Sequence, residues 1–229
     1  MNAKLNACVI IPVYNEESVV QSVVNGVLKE FKTVVCVLDG CTDGSRQELA
    51  KTNAQVVSHP FNLGQGAALQ TGLEYGLRAT DAEFFITFDS DGQHSISDAK
   101  AMLKHIEKEK TDVLLGSRFL SNDSNIPKLK KSLLALATKV SSVTTGLNLT
   151  DTHNGLRIFT REAAQKVNIT MPDMAHGSEL LHIIADNKLS YGEFPVTISY
   201  TDYSMKKGQS MLNSVNIAID VMLRKIINK

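Results

Sequence analysis

The stretch "FFITFDSDGQH", residues 84–94, joins an apolar run to a cluster of polar side chains. Aromatic and β-branched residues fill its first five positions, which is the pattern of a buried strand. Asp89 and Asp91 follow directly, and residues two apart in an extended chain point to the same side. We therefore expect both carboxylates to face one ligand at the end of a strand.

Two carboxylates held this close repel each other unless a cation or a shared proton lies between them. Oxygen ligands favour a hard ion, so we predict that Asp89 and Asp91 bind Mg²⁺ or Mn²⁺, with a carbonyl oxygen from Gln93 as third ligand. The alternative is an Asp-Gly turn that closes the strand and binds nothing. An EF-hand calcium loop fits less well, because Gly92 is fourth from Asp89 and not sixth.

The order of predicted elements places this turn in a larger pattern. Short β-branched runs alternate with helical patterns from "ACVIIPV" (7–13) to "TDVLLGSRF" (111–119). This alternation predicts an α/β fold with a mostly parallel sheet flanked by helices. Polar clusters follow the first, second, fourth and fifth strands, and ligands of such sheets bind beyond the carboxyl ends of the strands. We therefore expect one functional site at that edge.

The second half of the chain is less regular, but no repeat or linker divides it. We expect a helix over 127–146, a strand over 154–159 with a helix capped by Thr160, a helix over 178–187 and a strand over 193–201. The pattern of residues 211–229 predicts an amphipathic helix. This helix either packs on the domain or a dimer partner, or lies on an anionic membrane surface. One domain is expected over 1–229, with a first part at about 1–120 and a second part at about 121–210.

Composition narrows the class of protein. The 229 residues, 43% of them hydrophobic, suit one globular domain. Lys+Arg and Asp+Glu are both 24, so no basic excess indicates nucleic-acid binding. Three cysteines without metal-type spacing fit a reduced compartment, and no apolar run is long enough to span a bilayer. We expect a cytoplasmic protein, with contact to the cytoplasmic face of a membrane and homo-oligomerisation both left open.

Six motifs together resemble a known family. In chain order they are "VIIPVYNEE" (9–17), "LDGCTDGS" (38–45), "NLGQGAALQTGL" (62–73), "FITFDSDGQH" (85–94), "LLGSRF" (114–119) and "DTHNGLRIF" (151–159). The series is similar to that of family 2 glycosyltransferases, in the branch of dolichol-phosphate mannosyltransferase and bacterial polyprenyl-phosphate enzymes. The resemblance implies a GT-A fold, a nucleotide-sugar donor, a divalent metal and inversion at the anomeric carbon.

The resemblance also assigns roles to single residues. Asp39 would contact the base, Arg118 would contact phosphate or donor sugar, and Glu179 would lie near the acceptor. Asp89, Asp91 and Gln93 match the metal ligands that the residues themselves suggest. The expected nucleotide-sugar site consists of Pro12, Tyr14, Asn15, Glu16, Asp39, Gly66, Asp89, Ser90, Lys206 and Lys207.

The acceptor is less defined than the donor. A lipid phosphate is already anionic, whereas a sugar hydroxyl needs a base, for which Glu179 is the candidate. The family's "ED" pair is not evident, and Gln65 replaces a lysine that is common in the family. We predict an inverting, metal-dependent transferase acting on a cell-envelope glycan or lipid-linked acceptor, or alternatively a polyprenyl-phosphate glycosyltransferase. A non-catalytic nucleotide-sugar-binding subunit and a sugar-phosphate nucleotidyltransferase fit less well, because the carboxylate pair is intact and "PVYNEE" replaces a glycine-rich loop.

Four histidines accompany these motifs. We expect His94 and His105 to be solvated residues of a helix and not ligands. His153 and His176 lie in predicted loops, where either one would reach the metal or acceptor, or be an ordinary loop residue. The sequence leaves these two alternatives open.

Overall fold

The computed structural model describes residues 5–120, 138, 141–173 and 175–199, and within them seven strands pair into one sheet. The strands are β1 Leu5–Val13, β2 Phe31–Asp39, β3 Gln55–His59, β4 Phe84–Thr87, β5 Val113–Ser117, β6 Arg157–Thr160 and β7 Tyr191–Pro195. The helices are α1 Val20–Glu30, α2 Ser45–Leu49, α3 Gln65–Ala79, α4 Ile96–Glu109, α5 at 141–145, α6 Arg161–Ala164 and α7 His176–Asp186.

The sheet has the strand order β3-β2-β1-β4-β6-β5-β7. Every pairing is parallel except those of β6, which runs antiparallel to both β4 and β5. The mostly parallel sheet expected from the sequence is thereby confirmed. Because β6 is reversed, its first residue, Arg157, lies opposite Thr87 near the end of β4 and opposite Leu115 in β5. The start of β6 therefore reaches the edge where the parallel strands end.

Helices cover both faces of the sheet, which explains why its central strands are apolar without interruption. Alternate residues of β1 enter different cores. Ala7, Val9 and Ile11 join a cluster with residues of α1 and α4. Cys8 and Ile10 join a second cluster with residues of α3 and α7. This two-sided packing fixes β1 and β4 at the centre of the domain and places their polar tips on one edge.

Several element boundaries differ from the sequence-based expectation. Phe31 belongs to β2 and not to the preceding helix, since it is fully buried and pairs with Leu5. The last strand covers Tyr191–Pro195 and not 193–201, because it pairs with β5, which ends opposite Pro195. The cap of α6 is confirmed, since the Thr160 side chain accepts a hydrogen bond from Ala163 N.

Two expected features fall outside the described residues. The predicted helix over 211–229 lies beyond residue 199. Lys206 and Lys207, which we expect in the nucleotide-sugar site, lie there as well. Most of the helix expected over 127–146 is also outside, with residues 141–145 described as helical. Among the residues that are described, no helix has the length and apolar character needed to cross a membrane.

Candidate active site

Asp89 lies in the turn after β4, and His94, Gln65 and Gly155 hold its side chain in a defined orientation. Asp89 Oδ2 accepts a hydrogen bond from His94 Nε2 at 2.8 Å, and Oδ1 accepts one from Gln65 Nε2 at 3.0 Å. Gly155 packs so closely that a Cβ there would lie 2.5 Å from Asp89 Oδ2. The side chain of Asp89 nevertheless remains 31% exposed. Its carboxylate is therefore fixed in direction and still open to a ligand.

Asp91 lies in the same turn, and among the described residues its hydrogen-bond donors are neutral. Its two oxygens accept from Gln93 N at 2.9 Å and Gln93 Nε2 at 2.7 Å. Burial raises the pKa of Asp91, and the negative charge of Asp89 raises it further. Gln93 thus donates its amide to Asp91, whereas we predicted its carbonyl oxygen as a metal ligand. The two carboxylates repel each other, which is the condition that a bound divalent cation relieves.

The charge state of Asp89 is set by its surroundings. Burial alone would raise the pKa of Asp89, but the charge and hydrogen bond of His94 outweigh it, with further contributions from His176 and Arg157. The pKa of Asp89 therefore lies below its ordinary value, and this carboxylate is ionised at neutral pH. No cluster of three or more His, Cys, Asp or Glu side chains suited to a metal occurs within the described ranges. Asp89 and Asp91, which share the turn after β4, stay the predicted acidic ligands.

His94 corrects the sequence prediction. It is 7% exposed and not solvated, and its ring packs edge-on against Phe88 at 5.4 Å. Its backbone pairs with Ile198, just beyond β7, which explains the burial. His105 is only partly exposed as well, since its ring lies 5.2 Å from that of Phe194. The solvated assignment of His94 is therefore wrong, whereas His105 lies in α4 as expected and is half-buried.

The loops after β1 and β2 are tied together beside this turn. Asn15 has a φ of 53°, and its Oδ1 accepts from Thr42 N at 2.9 Å. Glu16 N donates to Ser45 Oγ at 2.8 Å. The negative charge of Glu16 also raises the pKa of Asp91, so Glu16 lies within electrostatic reach of the β4 turn. The structure therefore brings Glu16 close to the carboxylate pair and ties Asn15 to the loop after β2, while their contacts with a nucleotide sugar stay predictions.

The other residues of the predicted nucleotide site differ in exposure. Tyr14 is 45% exposed at the end of β1, whereas Pro12 is buried within that strand opposite Val37. Ser90 is buried between the two aspartates of the turn. Only Tyr14 of these three presents a broad surface to a ligand, and their contacts with a nucleotide sugar stay predictions.

Asp39 is engaged within the protein. It is 2% exposed, and its oxygens accept from Leu63 N, Gly64 N and His59 Nδ1, each at 2.8 Å. These bonds anchor the loop between β3 and α3. The assignment of Asp39 to the nucleotide base stays a prediction.

Gly66 allows a close approach, but the neighbour is the protein itself. A Cβ on Gly66 would overlap the carbonyl oxygen of Met171, and Gly66 N donates to Pro172 O. Gly64 before it has a φ of 94°, which favours glycine. The resemblance places Gly66 in the nucleotide-sugar site, and that contact stays a prediction. In the structure this tight helix entry brings α3 against the loop that precedes α7.

Arg118 follows β5 as expected and forms a bidentate pair with Asp151. Arg118 Nε and Nη2 donate to the two Asp151 oxygens at 2.7 and 2.8 Å. Both side chains are buried, at 9% and 2% exposure. Burial would raise the pKa of Asp151, but the hydrogen bonds and charge of Arg118 hold it below its usual value. The contact of Arg118 with phosphate or sugar stays a prediction.

Glu179 and two histidines lie at the acceptor side. The Glu179 carboxylate accepts from Thr170 N, Thr170 Oγ1 and Met171 N, so both of its oxygens are engaged, and its role as a base stays a prediction. Burial lowers the pKa of His176 to about 4, and the charge of Arg157 contributes. Burial also lowers the pKa of His153. Both imidazoles are therefore neutral at pH 7.

Comparison with known proteins identifies the family. The family model described as glycosyl transferase family 2 matches residues 8–167. This chain belongs to glycosyl transferase family 2. The glycosyltransferase is 30% identical to an uncharacterised protein of Methanocaldococcus jannaschii, covering 95% of this chain and 91% of that protein. It is 28% identical to the UDP-N-acetylglucosamine–dolichyl-phosphate N-acetylglucosaminyltransferase of Methanococcus voltae, covering 95% of each.

A solved structure confirms the fold of the glycosyltransferase. The crystal structure of glucosyl-3-phosphoglycerate synthase from Mycobacterium tuberculosis, in complex with Mn²⁺ and UDP-glucose, superposes with a TM-score of 0.67 at 15% identity. The match covers 95% of this chain and 77% of that one. The GT-A fold expected from the motifs is thus confirmed, as is the enzyme class.

Arg157 is a candidate site residue of the glycosyltransferase that the sequence reasoning missed. It is 4% exposed and starts β6 between the ends of β4 and β5. Burial lowers the pKa of Arg157 to about 10, while the negative charges of Asp89 and Asp151 act in the opposite direction. The available signal was a charged residue inside the apolar strand pattern "LRIF", because arginine is rarely buried without a specific reason.

Proposed function

We propose that this glycosyltransferase moves a sugar, with inversion, from a nucleotide-diphosphate sugar to a phosphate-bearing acceptor. One observation carries the donor half of the proposal. Asp89 and Asp91 share one turn at the carboxyl edge of the sheet, and the pKa of Asp91 is raised by burial and by the charge of Asp89. Such an excess of negative charge suits a ligand that arrives together with a cation.

The donor set fits a hard divalent ion, Mg²⁺ or Mn²⁺, held by Asp89 and Asp91. An ion with few protein ligands retains positions for substrate oxygens, and when bound it supplies positive charge that stabilises a departing diphosphate. The chain's own residues prepare this site, since His94 and Gln65 orient Asp89 and Gly155 leaves room for its carboxylate. The Mn²⁺ and UDP-glucose in the M. tuberculosis enzyme support this reading.

The proposed acceptor depends on whether Glu179, the candidate base, has an oxygen free to take a proton. Both Glu179 oxygens are engaged by Thr170 and Met171, and Asp151 is paired with Arg118. A sugar hydroxyl requires a proton acceptor, whereas a phosphate monoester attacks as an anion without one. These contacts favour a phosphate acceptor over a glycan hydroxyl. The dolichyl-phosphate acceptor in the name of the M. voltae relative points to a polyprenyl phosphate.

Two assays test the proposal. In a thermal-shift screen, a nucleoside diphosphate or its sugar should raise Tm in Mn²⁺ and not in chelator, because it binds only the native state. The selected donor is then incubated with a short-chain polyprenyl phosphate or with a hydroxyl-bearing oligosaccharide. We expect transfer to the phosphate alone. Transfer to the oligosaccharide alone would refute the acceptor half, and donor binding without turnover would indicate a non-catalytic binding subunit.

The location of the protein belongs to the same proposal. A polyprenyl phosphate lies in a membrane, so we propose peripheral contact with the cytoplasmic face through residues 211–229, which lie outside the described residues. Vesicle flotation of the full chain and of a chain ending at residue 210 measures this directly. Equal flotation of the two would remove the membrane role of this segment.

A further inference from the structure

Arg157 differs from the other arginines of the central sheet region in its partners. Arg118 forms two bonds with Asp151, and the Arg161 guanidinium donates to the carbonyl oxygens of Leu77, Thr80 and Ala82. For the Arg157 guanidinium, the described part of the chain provides neither a hydrogen bond nor an ion pair, although the residue is only 4% exposed. A buried charge without a partner is costly, so such a group indicates a ligand.

The position of Arg157 places it in the active site. It begins β6 opposite Thr87 of β4 and Leu115 of β5, at the edge where the parallel strands end. The charges of Asp89 and Asp151 both act on it without either forming an ion pair with it. The guanidinium therefore lies between the metal-ligand turn and the Arg118–Asp151 pair.

The N-terminus of α7 adjoins the same guanidinium. A Cβ built on Gly177 would lie 3.4 Å from Arg157 Nη2, so the first turn of this 11-residue helix packs beside it. Ala175 at the N-cap position makes no side-chain cap. In this turn His176 N donates to Asp173 O, and Ser178 N and Glu179 N both donate to Ala175 O, whereas the described residues provide no acceptor for Gly177 N. The positive end of the helix dipole lies at the same place, and it favours an anion.

We propose that Arg157 and the first turn of α7 at Gly177 form a phosphate-binding subsite that is separate from the Asp89–Asp91 turn. A guanidinium binds two phosphate oxygens at once, which would satisfy the Arg157 donors for which the described residues provide no acceptor. The absence of a side chain at Gly177 keeps the space next to Nη2 open. The assignment of the bound phosphate to a substrate rests on the proposed function.

Calorimetric titration with inorganic phosphate tests the subsite in the full-length protein. Gly177→Ala is the sharper variant, because its Cβ meets no atom closer than 3.4 Å and alanine favours a helix more than glycine. We expect it to keep or raise Tm and yet weaken phosphate binding at least tenfold. Arg157→Gln should lose at least as much, and Arg157→Lys should retain part of the affinity. Arg78→Gln, which removes a charge from an 81% exposed side chain, is the control and should bind as the wild type does.

The outcomes separate this subsite from the proposed function. Two results would overturn the subsite, even if a nucleoside diphosphate and Mn²⁺ still bind. The first is that the wild type shows no measurable phosphate binding. The second is that Gly177→Ala and Arg157→Gln both bind phosphate with wild-type affinity. Wild type that binds phosphate but no nucleoside diphosphate would refute the proposed function alone. Repeating the titration with saturating nucleoside diphosphate and Mn²⁺ identifies the source. Unchanged phosphate affinity indicates the acceptor's phosphate, and competition indicates the donor's diphosphate.

Discussion

Asp151 and Asp91 lie near the same edge of one sheet, and their surroundings shift their pKa values in opposite directions. Arg118 grips Asp151 with two hydrogen bonds and holds its pKa low. Within the described part of the chain Asp91 receives only the neutral donors of Gln93, and burial together with the charge of Asp89 holds its pKa high. The protein thus neutralises the carboxylate that supports its own loops. It leaves the other carboxylate with an unbalanced charge, which is what a cation site requires.

Removing Arg118, the partner of Asp151, should have the largest effect on the free energy of unfolding. Arg118→Leu leaves a 2% exposed carboxylate without its cation, so we expect a loss of about 3–5 kcal/mol in the free energy of unfolding. Urea denaturation measures it. The double variant Arg118→Leu/Asp151→Leu should recover most of the loss, since no charge is then left unpaired. A loss below about 1 kcal/mol in the single variant would show that the pair is not what neutralises Asp151.

The exposed pair Arg78–Glu74 is the matched control for that measurement. Its side chains are 81% and 48% exposed, and such pairs contribute about 0–1 kcal/mol. Arg78→Leu should therefore change the free energy of unfolding by less than about 1 kcal/mol. An equal effect of the two substitutions would mean that burial does not distinguish them.

Burial shifts the pKa of a basic side chain as well, that of His176, and the shift predicts how stability depends on pH. Its folded-state pKa is about 4 against an ordinary value of 6.5, so the unfolded chain binds more protons between these values. Stability from this group is present above 6.5 and is lost as pH falls towards 4, by about 3 kcal/mol in total. His176→Asn should show a shallower loss of stability over that range in urea denaturation. Identical pH profiles would rule out a neutral, buried His176.

Gly155→Ala tests how strictly the protein orients Asp89. The new Cβ would lie 2.5 Å from Asp89 Oδ2, so the carboxylate would have to turn. Displacing a metal ligand's support commonly weakens metal binding by about 10–100-fold, and we expect a loss of that order for Mn²⁺ by calorimetry. Gly192→Ala is the control, because its nearest neighbour is the flexible end of Leu114 at 3.3 Å. Unchanged Mn²⁺ affinity in Gly155→Ala would contradict the assigned role of Asp89.

The fold was predictable because local patterns repeat along the chain. The parallel part, from β1 to β5, follows from alternating apolar runs and amphipathic helices. The insertion of β6 between β4 and β5 could not be predicted, because it depends on pairing between Ile86 and Ile158 and not on sequence neighbours. The role of Arg157 was missed for the same reason.

The site was predictable where chemistry is carried by one short segment. Asp89 and Asp91 are two residues apart in sequence, so the pair could be identified from the turn alone. His94 was assigned wrongly because its burial depends on Ile198. Asp39 and Glu179 each accept from two or more backbone N–H groups of loops elsewhere in the chain, and no side-chain pattern reveals such partners.

The most direct measurement compares wild type with Asp91→Asn by thermal unfolding, with and without Mn²⁺ and nucleoside diphosphate. Asparagine removes the charge that Asp89 repels, so the ligand-free variant should be as stable as the wild type or more stable by up to about 1 kcal/mol. It should show none of the rise in Tm that the ligands give the wild type. An equal rise in Tm for both proteins, or a ligand-free variant destabilised as strongly as Arg118→Leu, would contradict the claim that this carboxylate is kept for a cation.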